Sequence, residues 1–235
     1  MEDWLQRTKS LLGEEAVMHL QHTHIAVFGL GGVGSFAAEA LARSGVGKLT
    51  LVDADTVSVS NINRQLYALQ NTVGEYKTSV AARRIQQINP DCQVCEAPLF
   101  VEANNIPEVL NGDVSFCIDA IDTVSSKIAL IAYCQQKEIP IVCCMGTGNK
   151  LHAEGLQIGK LSKTHTCPLC RVMRRELKNR NLKDISVVWS PEEPVHLAVD
   201  NANGRHAPAS VSFVPPVAGF LLAEHAILQL TENRN

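Results

Sequence analysis

Over its first 150 residues the chain alternates short β-branched apolar runs with longer stretches in which apolar side chains recur at helical spacing. The pattern predicts strands at 24–28, 48–52, 93–97, 114–118 and 140–144. Between and before them it predicts helices at 14–21, 33–43, 76–88, 104–110 and 125–137, the third ended by Asn89-Pro90 because a residue before proline is pushed out of the helical region. This is the rhythm of parallel βαβ units. After residue 144 the sheet is expected to end or change direction. The loop Gly146-Thr147-Gly148-Asn149-Lys150 leads to an antiparallel strand at 155–161, a helix at 168–178 with Pro168 in its first turn, and a closing helix at 216–230. The expected fold is α/β: a Rossmann-like, mostly parallel sheet with helices on both faces, extended by a smaller antiparallel C-terminal part. Residues 1–235 are expected to form one domain, with a nucleotide-binding core at 1–150 and an extension for substrate and dimer contacts at 151–235.

Composition narrows the class without fixing the function. With 46% hydrophobic and 19% charged residues in a chain of 235, there is ample material for a core. A membrane span needs roughly 18 to 20 uninterrupted apolar residues. The best stretch, 213–230, contains Pro215, Pro216, Glu224 and His225 and reads as a buried helix, so no membrane contact is expected. Acidic residues stand at Glu2 and Asp3, where a secretory signal would carry basic ones, which predicts a cytoplasmic protein. The eight cysteines lie mostly inside apolar segments and read as packed thiols rather than a disulfide framework. A net charge of −3 offers no global attraction to polyanions, so any nucleic-acid contact must use a local patch.

Two groups of residues carry chemistry. Gly29-Leu30-Gly31-Gly32-Val33-Gly34 follows a strand and opens a helix, where glycines permit a tight turn and the helix N-terminus offers free N–H groups to phosphate. Asp53 ends the next strand, where this architecture places a ribose ligand. The second group is Asp53, Asp55, Asn61, Asn63, Arg64 and Gln65, followed by Lys77 and later by Asp119-Ala-Ile-Asp122. A hydride-transfer site, as in an NAD-dependent oxidoreductase, has no evident use for Arg64, Lys77 and Asp122 on one loop face. A reaction at a phosphoryl group does: the cations neutralise charge on the phosphate oxygens and the leaving pyrophosphate, and a carboxylate holds Mg²⁺.

These motifs, in this order, resemble the adenylating enzymes related to ubiquitin activation, which include the activators of the molybdopterin and thiamin sulfur-carrier proteins. The resemblance implies that Gly32, Asp53, Asn61, Arg64, Lys77 and Asp122 contact ATP or its Mg²⁺. It also implies a homodimer in which an arginine near the N-terminus reaches the partner's nucleotide, a place Arg7 could fill. Asp119-Ala-Ile-Asp122, Met145-Gly-Thr-Gly-Asn-Lys150, Arg171-Val-Met-Arg174-Arg175 and the stretch 209–219 are most similar to the branch that dehydrates threonylcarbamoyladenosine in tRNA. For that branch the expected substrate is tRNA carrying threonylcarbamoyladenosine, with a sulfur-relay protein as a further partner. The alternative within the family is an adenylyltransferase acting on the Gly-Gly tail of a small sulfur-carrier protein.

Other features admit plain structural roles as well as functional ones. Sulfur-carrier activators often hold zinc with two C-x-x-C pairs, whereas Cys167-Pro-Leu-Cys170 stands alone here, and His165, His196, His206 or a second subunit would have to complete four ligands. A packed pair without zinc is expected. No cysteine follows Cys170, which weakens a sulfur-transfer reading, and Cys143 and Cys144 read as inert core thiols. Arg171, Arg174, Arg175 and Lys178 share one helix face with Arg180 beside it, the best local patch for tRNA phosphates. Lys150 follows the last parallel strand, where it would meet nucleotide or substrate or cap a loop. His19, His22, His24 and His225 read as structural.

Overall fold

A computed structural model describes residues 3–195 and 208–232. Helices α1 (Gln6–Leu12) and α2 (Glu14–Gln21) precede strand β1 (His24–Phe28). Then come α3 (Gly34–Arg43), β2 (Lys48–Val52), α4 (Lys77–Ile88), β3 (Gln93–Ala97), α5 (Ile106–Val109), β4 (Phe116–Asp119), α6 (Val124–Gln136) and β5 (Ile141–Cys144). The extension adds β6 (Gln157–Lys160), α7 (Pro168–Asn179), β7 (Ser186–Trp189) and α8 (Val214–Glu232).

The strands form one seven-stranded sheet in the order β3-β2-β1-β4-β5-β7-β6, parallel except for β6 against β7. Every residue of β1 is buried because helices cover both faces. Ile25 and Val27 point into a core built with α2, α3, α4 and α8, while Ala26 and Phe28 point into a second core with α5 and α6. A third core packs α7 against β5 and β7 through Met173, Leu177, Cys143 and Val187. Helix α8 is long and apolar enough to cross a membrane by length and composition, yet half of its apolar stretch is buried in the protein. It crosses α3 at Gly219, where a Cβ would lie 2.3 Å from the Val33 carbonyl oxygen, and Phe220 meets Phe36 edge-on at 5.7 Å.

Strands β1, β2 and β3 and helix α2 have the bounds read from the sequence, and most other elements shift by one or two residues. Three differences have physical causes. The sheet does not stop or reverse after β5: β7 joins β5 in parallel, Val142 opposite Ser186, and only then does β6 run antiparallel. β7 is short and follows a polar stretch, so its pattern does not stand out from irregular chain. Helix α1 was not expected, because it has no buried residue and is held through Leu5 just before it, whose methyl would meet a Cβ placed on Gly45 at 2.8 Å. Strand β4 begins two residues later than expected: the chain turns at Gly112, with φ +95°, and the Val114 N–H bonds back to the Gly112 carbonyl at 3.0 Å instead of to a neighbouring strand.

Candidate functional site

β1 and β4 are neighbours whose connections leave in opposite directions, and α/β sheets bind ligands outside the C-terminal ends of such a pair. A cleft of about 680 Å³ opens there. Its floor is the glycine turn. Gly29 has φ +85°, and a Cβ on it would lie 2.7 Å from the Ala120 carbonyl oxygen, while a Cβ on Gly34 would lie 1.7 Å from the Gly29 carbonyl oxygen. Side chains are excluded at both positions, so the helix can start directly beneath the turn. Gly31 and Gly32 line the cleft; Gly34 sits behind it as a packing residue.

Asp53, read from the sequence as a ribose ligand, binds the turn in this structure: Oδ2 accepts the Leu30 N–H at 2.6 Å and Oδ1 accepts the Asp55 N–H at 2.9 Å. Lys77 stands on the first residue of α4 with Nζ 2.7 Å from Asp55 Oδ2 and 3.6 Å from Asp53 Oδ1. The Lys77 and Asp53 side chains are 6% and 7% exposed, whereas that of Asp55 is 71% exposed. The ammonium is thus desolvated but paired, at a wall of the cleft where a polyanion would find it.

The motif from Asn61 to Gln65 forms a compact turn. Asn61 Oδ1 accepts the Ser58 N–H at 3.1 Å, closing a capping box over the short helical turn Val59–Asn61. Arg64 Nη1 donates to the Ser60 carbonyl at 3.0 Å and to Asn63 Oδ1 at 2.9 Å. These bonds use one nitrogen of a guanidinium that carries five donors, and the residue lines the cleft. Asn63 is not on the wall; its Nδ2 donates to the Ser210 carbonyl at 3.1 Å. Gln65 is buried with Nε2 facing Gly31.

Asp122 is exposed on the opposite side. It accepts one hydrogen bond, from the Thr123 hydroxyl at 3.3 Å, and among the described residues it has no ion pair. Such a carboxylate fits an oxygen-seeking dication. Beneath it lies a pair that the sequence reading missed. Asp119 and Lys127, both fully buried, meet at 2.9 Å; Asp119 Oδ1 accepts the Ile121 N–H at 3.0 Å and Lys127 Nζ donates to the Ile121 carbonyl at 2.9 Å. Burial works against the Lys127 charge, but Asp119 more than offsets it and raises the ammonium above its ordinary value. The peptide just before Asp122 is therefore clamped at both ends. The eight-residue spacing of Asp119 and Lys127, across a strand end and a helix, is no recognisable motif.

The far end of the cleft is formed by Met145, Gly146, Thr147 and Gly148 after β5 and by Pro208, Ser210 and Pro215 before and at the start of α8. Leu99, Phe100 and Val101 after β3 add an apolar wall. Loop residues of these types carry no signal in a sequence. Lys150, a candidate for nucleotide or substrate contact, is buried and donates to the Glu192 carbonyl, so it is a loop cap in this structure.

On α7, Arg171, Arg175 and Lys178 are exposed. Arg174 leaves their face: its Nη1 bonds the Thr164 carbonyl at 2.9 Å and the Thr164 hydroxyl. Cys167 and Cys170 are buried at the helix start, and His165 packs edge-on against Trp189 at 4.7 Å. Among the described residues no three metal-ligating side chains gather; His196 and His206 lie outside them. A hydrogen bond from the Cys170 thiol, opposed by burial and aided by the backbone N–H groups of Cys170, Gly146 and Leu169, pulls Cys167 down to about 5. Burial pushes Cys144 up to about 12 and Cys143 well up, so these two remain inert thiols. His24 Nε2 meets the Thr50 hydroxyl at 2.8 Å, His22 Nδ1 meets the Met18 carbonyl at 2.8 Å, and His225 packs on Phe116, all structural placements.

A family model described as the ThiF family matches residues 5–234. The chain is 39% identical over 239 residues to the tRNA threonylcarbamoyladenosine dehydratase of Bacillus subtilis strain 168, covering 97% of this chain and 94% of that protein. Its structure is similar to that of E. coli tRNA N6-threonylcarbamoyladenosine dehydratase in complex with AMP, with a TM-score of 0.90, 38% identity, and coverage of 99% and 97% of the two chains. It is equally similar to the same E. coli protein in complex with ATP, with a TM-score of 0.89, 37% identity and the same coverage.

Proposed function

The chain belongs to the ThiF family, and from that membership we propose that it is an ATP-dependent tRNA threonylcarbamoyladenosine dehydratase. The observation that carries this reading is a likeness to the dehydratases over nearly the whole chain, around a cleft lined by Arg64, Lys77 and Asp122. The fold and the activity class agree with those read from the sequence.

The chemistry follows from the difficulty of the bond to be made. A carboxylate is a poor acyl donor because it would have to expel oxide. In the first step an oxygen of the threonyl carboxylate bonds to the α-phosphorus of ATP and the bond to pyrophosphate breaks. In the second step the neighbouring carbamoyl group attacks the acyl carbon and gives up its N–H proton, AMP departs with the electrons of the acyl–oxygen bond, and a ring closes with net loss of water. Arg64 and Lys77 oppose the charge that builds on the phosphate oxygens, the glycine turn lets the backbone approach them, and the walls keep water away while the two groups meet. Asp122 would hold Mg²⁺, which when bound neutralises phosphate charge.

The same reading takes residues 1–150 as the nucleotide core and 151–235 as the extension, a homodimer as the assembly, and the cytoplasm as the place of work. Arg171, Arg175 and Lys178 supply the tRNA patch, with Arg174 tied to Thr164 beside them.

The test is mass spectrometry of nucleosides from threonylcarbamoyl-modified tRNA incubated with ATP and Mg²⁺. Wild type is expected to remove one water from the modified adenosine and Lys77→Ala to leave it intact. An unchanged nucleoside with active, ATP-binding wild type would shift the substrate to a protein tail ending in Gly-Gly. In the same assay, Arg175→Ala with Lys178→Ala is expected to raise the KM for tRNA several-fold at fixed salt and to flatten its salt dependence.

A further inference from the structure

Val195 and Ala209 stand on either side of residues 196–207, which lie outside the described residues, and one residue, Asn149, bonds to both. Asn149 accepts the Val195 N–H on its carbonyl at 2.7 Å. Its own N–H donates to the Ala209 carbonyl at 2.8 Å, and its side-chain Oδ1 accepts the Ala209 N–H at 2.7 Å. The residue sits at φ +57°, in the left-handed region that asparagine tolerates and most residues avoid, so the backbone is turned specifically to make these three bonds. Neighbouring contacts follow from the clip. Pro208 is pressed against Gly148, where a Cβ would lie 2.5 Å from the proline Cβ, and both residues line the cleft. One residue further, the Ser210 carbonyl receives Asn63 Nδ2, and Asn63 Oδ1 receives Arg64 Nη1.

We propose that Asn149 is a positioning residue: by clipping both boundaries of this segment it sets the wall at which the acceptor carboxylate sits and, through Ser210 and Asn63, the aim of the Arg64 guanidinium. The proposal rests on the adenylation reading above and goes beyond it, since Asn149 touches neither nucleotide nor phosphate in that reading. The nucleotide end of the cleft is built from other elements, so loss of the clip separates turnover from ATP binding.

The experiment compares Asn149→Gly, which keeps the backbone conformation and loses Oδ1, with Asn149→Asp, which keeps an acceptor oxygen at the same place. Turnover is measured with modified tRNA, and binding with a non-hydrolysable ATP analogue by calorimetry. Asn149→Gly is expected to lower kcat/KM for tRNA about tenfold while the analogue's Kd stays within about twofold, and Asn149→Asp to recover turnover to within about twofold of wild type. Gly148→Ala, which pushes Pro208 away from outside the clip, is expected to reproduce the loss. Combined with Asn63→Ala, the loss from Asn149→Gly is expected to be less than additive. Turnover of Asn149→Gly near that of wild type, an Asn149→Asp variant as slow as the glycine one, equal damage to analogue binding and turnover, or full additivity with Asn63→Ala would each overturn the proposal. Wild type that leaves the modified tRNA unchanged would overturn the adenylation reading and the proposal together, and that control tells the two failures apart.

Discussion

At the glycine-turn end of the cleft, Asp53, the Leu30 N–H, Asp55 and Lys77 are locked to one another, and the backbone leaves no room for a single added carbon at Gly34. At the acceptor end, Asp122 has one hydrogen bond, Arg64 is held through one nitrogen, and the wall is two loops joined by Asn149. The first end is preorganised because phosphate is the same in every turnover. In the proposed reaction the second end receives a group carried on a much larger molecule, and its loop contacts can adjust where a strand end does not.

The largest effect should come from breaking the first end. Gly34→Ala forces the Gly29 peptide to move and is expected to cost about 3 kcal/mol or more in urea unfolding. Gly148→Ala at the other end meets the Pro208 ring and, at ordinary contact distance, the Ala209 carbonyl oxygen, not a buried helix start, and is expected to cost less, about 1 kcal/mol, by the same measurement. Equal losses at the two glycines would erase the contrast. Next in size, Arg64→Ala should lower the single-turnover rate about 100-fold while the affinity for an ATP analogue changes less than about threefold. A loss of analogue binding as large as the loss of rate would move Arg64 to the preorganised end.

The smallest effect sharpens the boundary between the two. Cys167 lies behind Gly146, and its pKa near 5 makes it a thiolate at neutral pH, visible by its absorbance at 240 nm. The midpoint should rise in Cys170→Ala, which removes the leading cause of the shift. Because the folded pKa lies below the ordinary value of 9.0, the thiolate's contribution to stability is complete above that value. It shrinks as pH falls between the two and is gone once pH passes below about 5. A midpoint near the ordinary value would remove the charged link between α7 and the acceptor loop.

Much of the preorganised end was legible in the sequence because its causes are local: β-branched runs make β1 and β2, glycines make the turn, and the carboxylate after β2 follows at a fixed spacing. The acceptor end was legible only in part. Arg64 and Asp122 stand in motifs, but whether Lys150 faced the cleft depended on a carbonyl 42 residues away, and whether Arg174 joined the basic face depended on Thr164. The Asp119–Lys127 clamp escaped for the same reason, since two buried charges find each other through tertiary packing and not through spacing. β7 was missed because its partner strand, not its own four residues, makes it a strand.

The seat of Gly219 on the Val33 carbonyl, with Pro215 against Gly32, joins the beginning of the nucleotide site to the last described helix. During synthesis, every residue of the glycine turn, of the Asn61–Gln65 turn and of Lys77 leaves the ribosome long before α8 exists to brace them. A nascent chain therefore carries the whole phosphate motif before the helix that packs on its glycine turn has been made. Removing α8 alone would silence the enzyme while leaving Arg64, Lys77 and Asp122 in the sequence untouched.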